Sequence, residues 1–148
     1  MQGQRAVRIQ IVAQSPFLLD PPEATDTHAR VTAWRDVVAG KLHAIADRTE
    51  PRDFVDLYFI LQHLVALPGS PAAPDTIRAI TGDLFAHDPG LSLAAIGPAL
   101  AAGADAALYN GFPLRMLRPV SFVDVASTAK YCATVVAEDL ARELRSQE

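Results

Sequence analysis

The 148-residue sequence predicts a mainly helical α+β domain, and three observations carry that expectation. Half of the residues are hydrophobic and a fifth are charged, the balance of a chain that buries a core. After residue 32, apolar residues recur at spacings of three and four, the period of an amphipathic helix. A period of two appears only near the N-terminus. There, in "AVRIQIVA" (residues 6–13), Val7, Ile9 and Ile11 alternate with Arg8 and Gln10. The expected architecture is a helical bundle with one or two short N-terminal strands, in a single domain over residues 1–148. Within it, 6–13 is a strand, 32–67 a helical hairpin and 74–146 a set of C-terminal helices.

The elements follow in order. Residues 15–28, "SPFLLDPPEATDTH", read as an extended proline-rich crossing. The first helix runs from an N-cap at Thr32 to about Arg48. Pro51 suits the first turn of a second helix, which ends near Leu67. "PGSPAAP" links it to a third helix after Pro74 that buries Ile77, Ile80 and Leu84. The apolar stretch at 91–109 is interrupted by Gly97, Pro98, Gly103 and Asp105, so it falls short of a membrane span and reads as a broken helical pair. Asn110-Gly111 marks a turn. The last helix begins near Ser121, with Asp124 completing a pattern like a capping box. Its inward stripe is Phe122, Ala126, Ala129, Ala133, Val136, Leu140 and Leu144, and Glu138 and Arg142 are spaced to pair on its surface.

A lone strand cannot satisfy its own backbone. A second strand comes from "SPFLLD", from residues 112–122 or from another chain, or else 6–13 belongs to a sheet whose other members lie elsewhere.

Several function classes lose support at this stage. A net charge of −4 argues against a broad nucleic-acid-binding surface. No apolar stretch precedes a cleavage site, so no signal peptide is expected. One cysteine precludes an internal disulfide and points to the cytoplasm, with Cys132 a small buried hydrophobe. His28, His43, His63 and His87 lack metal-ligand spacing, and no serine sits in a Gly-x-Ser-x-Gly setting. Arg115 and Arg118 read as solvated loop charges, and Tyr58 and Tyr109 as core or boundary aromatics.

"KLHAIADRTEPRDFVDLYFILQH", residues 41–63, is the informative stretch. Trp34, Val38, Lys41, Ile45 and Arg48 share one face of one helix, the face that should be buried. Lys41 interrupts an apolar stripe, so its ammonium must reach solvent, a carboxylate or an anionic ligand. Beyond Pro51, Asp53 and Asp56 lie in the first turns of the next helix, where acidic groups suit the helix dipole. Arg52 and Asp56 are spaced to pair. Phe54, Leu57, Tyr58, Leu61, Leu64 and Val65 form the second helix's apolar stripe. Two helices joined by "TE" bring Lys41, Arg48, Asp53 and Asp56 to one end of a hairpin. One reading is a salt-bridge network that locks the hairpin. The other is a phosphate-binding corner in which Lys41 is a point charge, an arginine a bidentate fork, and the aspartates orient both.

The segment "WRDVVAGKLHAIADRTEPRDFVDLYFIL" closely resembles the signature of the AbiEii/AbiGii toxin family of nucleotidyltransferases. Asp36, Lys41, Leu42, Arg48, Arg52, Asp53, Asp56 and Leu57 fill its places in order, and the resemblance covers residues 6–65 best. It implies a nucleotidyltransferase fold using a nucleoside triphosphate and magnesium. It also implies a toxin in a toxin–antitoxin or phage-defence pair, with a cognate antitoxin and, in some members, transfer RNA as the molecule modified. By the same resemblance Lys41 contacts the triphosphate, while Arg52, Asp53 and Asp56 form the adjoining wall.

The family's Gly-rich turn and its strand with two metal-binding aspartates have no counterpart in the sequence, so no metal ligand is assigned. The chain then corresponds to the C-terminal half of the fold, inactive alone. Residues 6–13 would be a strand edge open to self-association or to a complementing chain. The remaining alternative is a non-catalytic helical domain that binds nucleotide or protein, or whose charged corner is structural.

Overall fold

A computed structural model of the chain describes residues 18–26, 30–66, 73–87, 93–111 and 119–146. The strand expected at 6–13, and most of the alternative at 112–122, lie outside the described residues. Two short strands, β1 (Glu23–Ala24) inside the proline-rich crossing and β2 (Arg30–Val31) after it, pair antiparallel with Glu23 opposite Val31 and Ala24 opposite Arg30. The rest is helical: α1 (Trp34–Arg48), α2 (Pro51–Ala66), α3 (Ala73–His87), α4 (Leu93–Ala102) and α5 (Phe122–Ser146), with a 3-10 turn at Ala106–Tyr109. The outcome is the mainly helical α+β class that the periodicities predicted.

The helices share a core built from the expected stripes. Val38, Leu42 and Ile45 of α1, Phe54, Leu57 and Leu61 of α2, Ile77 and Ile80 of α3, and Ile96 and Leu100 of α4 are all buried. α5 packs against α2, α3 and α4, and α1 against α2, α3 and α4. Pro98 is accommodated inside α4, so the break in the apolar stretch falls later, at Gly103 to Asp105, where the backbone bonds shorten to a three-residue reach.

Four local expectations are corrected. α1 starts at Trp34 and its N-cap is Ala33, with no side-chain cap bond, so Thr32 stands outside the helix. Trp34 is 40% exposed, because the first turn of α1 extends past the core into a shallow groove shared with Val37, Phe59 and Ile60. Leu144 is 58% exposed, because α5 runs on beyond the packed core; Val125, Cys132 and Val135 carry that helix's burial alongside Ala126, Ala129 and Val136. Glu138 and Arg142 do not pair with each other. Arg78 of α3 takes both Glu138 (2.8 Å) and Asp139 (3.3 Å), and Arg142 turns to Asp139 at 2.6 Å. A guanidinium fork reaching two carboxylates across a helix interface displaces a single pair along one helix.

Cys132 is fully buried, and that burial pushes its thiol up to about 12. At pH 8 the folded chain is therefore expected to be inert to a thiol reagent such as Ellman's, with one thiol appearing only on denaturation. Rapid labelling under native conditions would contradict this packing.

Candidate functional site

The charged corner is built at the joint between α1 and α2. α1 ends at Arg48, and Thr49 takes a left-handed conformation with φ 50° and ψ 45°. That conformation costs a β-branched residue about 1–2 kcal/mol. Its amide and its hydroxyl both donate to the Ile45 carbonyl, each at 3.1 Å, which offsets part of the strain. Pro51 then opens α2, and the Asp53 amide donates to the Glu50 carbonyl at 3.0 Å. The chain thus reverses over two residues and lays the first turn of α2 under the last turn of α1.

Asp53 is at the centre, with no exposed side-chain surface. Arg48 donates to it twice, Nε to Oδ2 at 2.8 Å and Nη2 to Oδ1 at 3.0 Å. Lys41 Nζ donates to Asp53 Oδ1 at 3.2 Å and to Asp56 Oδ2 at 2.6 Å. The hairpin therefore brings together Lys41, Arg48, Asp53 and Asp56 of the residues singled out in the sequence. It does not bring in Arg52, which pairs with Glu50 at 2.8 Å instead of with Asp56. Asp56 is engaged by Lys41, and Glu50 in the turn supplies the carboxylate for Arg52.

The two cations keep solvent-facing surface, 27% for Lys41 and 41% for Arg48. Burial pushes the Asp53 carboxyl up, but the hydrogen bonds from Arg48 and Lys41 and their charges overcome it and hold the group below the ordinary carboxylate value. Burial likewise pulls the Lys41 ammonium down, and the bonds to Asp56 and Asp53 outweigh that, so it stays protonated beyond the usual lysine range. Arg48 is raised by its Asp53 bond. The result is two positive charges fixed in place by one buried carboxylate, Asp53, with a second carboxylate, Asp56, on Lys41 at the rim.

A second anchor escaped the sequence reading. The Asp36 carboxylate accepts the backbone amides of Leu19 (2.7 Å) and Asp20 (3.0 Å), and Arg35 pairs with Asp20 at 3.0 Å and with Asp83 of α3. These contacts tie the segment before β1 to the start of α1. Asp20 sits in a proline-rich stretch without periodicity, so no spacing signal linked it to Arg35 or Asp36.

Fold and corner together define a helical module with a Lys–Arg pair organised by a buried carboxylate. Comparison with protein families matches residues 3–124 to the family described as nucleotidyl transferase AbiEii toxin, type IV TA system. The chain belongs to that family, and is a nucleotidyltransferase-like module of a toxin–antitoxin system whose other component is an antitoxin. No curated protein and no solved structure was found to match it. Among the described residues no helix is long and apolar enough to cross a membrane.

The nucleotidyl transferase family implies use of a metal ion, but the described residues do not fit one. No group of three or more His, Cys, Asp or Glu among them could hold a metal ion, and both Asp53 oxygens are already taken by Lys41 and Arg48.

Proposed function

We propose that the α1–α2 corner binds the phosphates of a nucleoside triphosphate, with Lys41 as the point charge and Arg48 as the fork. One observation carries the reading: two cations that keep solvent-facing surface are both bonded to the same fully buried carboxylate. Desolvating an aspartate to fix two cations is a costly arrangement for a purely mechanical lock, and a suitable one for presenting charge to an anion. Asp53 orients both cations and Asp56 holds Lys41. Arg52, exposed beside the corner and paired with Glu50, is a further guanidinium at the rim within the proposed site.

Family membership supports nucleotidyl transfer as the chemistry, and transfer RNA as the acceptor is part of this proposal. The sequence contains no Asp-x-Asp pair, and metal-assisted transfer requires such hard ligands. On its own residues the chain is therefore proposed to hold a triphosphate without transferring it. Metal-binding carboxylates would come from a complementing chain paired along residues 6–13.

Calorimetric titration with GTP, ATP, CTP and UTP, run beside a transfer assay, tests this. Binding is expected for at least one triphosphate, weakened about tenfold or more by Lys41→Met, since a hydrogen bond to a charged group is worth about 1.5–3 kcal/mol. Flat titrations with all four would assign the corner to structure alone. Transfer by the isolated chain would refute the non-catalytic half of the proposal.

A further inference from the structure

We propose that Asp56 is a built-in competitor for the anion that Lys41 binds, a carboxylate that occupies the phosphate position until a ligand displaces it. The inference rests on the phosphate-binding reading above and adds how that site is regulated. The two carboxylates on Lys41 are not equivalent. Asp53 has no exposed surface and is fixed by two further bonds from Arg48, so it stays whether or not a ligand is present. Asp56 has half its side chain in solvent and meets Lys41 at the rim.

Lys41 is itself mostly covered, and its bond to Asp56, at 2.6 Å, is the shorter of its two. Of the two carboxylates on Lys41, Asp56 is therefore the one on the solvent side, from which a phosphate oxygen would approach. The ammonium has three donors in all. Two already serve aspartates. An incoming phosphate gains most by taking over the donor that the exposed aspartate holds, because an exposed ion pair is weak and a phosphate carries more charge. Asp56 also repels any anion that Lys41 attracts, through the high-dielectric rim.

The test uses the full chain and two probes, tripolyphosphate and GTP, titrated into wild type, Asp56→Asn, Lys41→Met and the double variant. Asparagine keeps the shape and one acceptor for Lys41 while removing the charge, and Asp56→Ser serves as a second variant. Both substitutions are expected to tighten tripolyphosphate and GTP about tenfold, and Lys41→Met is expected to abolish that gain. Affinity that is unchanged or weaker in both Asp56 variants, while wild-type binding still depends on Lys41, overturns the competitor role and leaves the phosphate site standing. No binding by any form, or binding indifferent to Lys41→Met, removes the phosphate site and the competitor with it.

Discussion

Asp53→Ala is expected to lower the unfolding free energy by about 3 kcal/mol, because it strips the shared partner from two cations at once. The figure is at the low end for a broken buried ion pair, since Lys41 and Arg48 retain exposed surface through which water can solvate them. Asp53→Asn, which keeps the shape and one acceptor, is expected to cost less. The wild type adds a pH signature. Asp53 titrates lower folded than unfolded. Its contribution is therefore complete above its unfolded value of about 3.9 and is lost as pH falls through the lower folded value. Lys41 titrates higher folded than unfolded, so its contribution is complete below about 10.4 and lost as pH rises through the higher folded value. Between those limits the corner contributes a constant amount. Urea unfolding followed from pH 2 to pH 7 checks this. The acid-side fall attributable to the corner should be present in the wild type and diminished in Asp53→Ala. Equal stability of the two proteins at pH 7 would mean that the buried carboxylate holds nothing together.

Gly103→Ala is expected to cost about 3 kcal/mol, at the upper end of overpacking effects. Gly103 follows the last turn of α4, and a methyl group there would lie against three carbons of the Phe54 ring. Phe54 is 2% exposed in the core, so the ring cannot swing away, and the Gly103 carbonyl is pinned by the Tyr109 hydroxyl, which donates to it at 2.7 Å. Tyr109 in turn stacks on Phe122 with ring centroids 5.3 Å apart, which fastens the end of α4 to the start of α5. A double-mutant cycle with Phe54→Leu isolates the contact. Phe54→Leu alone should destabilise modestly, and the pair should be clearly less destabilised than the sum of the singles. Strict additivity would show that the Gly103–Phe54 approach is not what excludes alanine. Because Phe54 follows Asp53 directly, this contact also sets the position of the first turn of α2 beneath the corner.

What could be read from sequence was what depends on short spacings. The i, i+3 and i+4 pattern through Val38, Lys41 and Ile45, the two-residue joint and Pro51 define two antiparallel helices. From those alone Asp53 and Asp56 must come near Lys41 and Arg48. The choice of partner within such a cluster depends on side-chain reach and was not legible. Arg52 had Asp56 at the right helical spacing, yet it pairs with Glu50 in the turn. Glu138 had Arg142 at i+4 and took Arg78 from another helix. The burial of each helix was legible in its middle and not at its ends. Trp34 and Leu144 continue their apolar stripes past the point where another element covers them. Gly103 against Phe54, and Asp36 under Leu19, are contacts between parts of the chain with no common period. Only the packed structure brings them together.

Thermal unfolding with and without GTP, in wild type and in Lys41→Met, addresses the phosphate site most directly. Ligand at a hundredfold excess over its dissociation constant stabilises a folded protein by about 2.7 kcal/mol, which for a chain of this size raises Tm by about 5 °C or more. A rise in the wild type that is absent from a folded Lys41→Met is the expected result. An equal rise in both proteins, or none in the wild type at saturating GTP, ATP, CTP or UTP, would contradict a phosphate site at the α1–α2 corner.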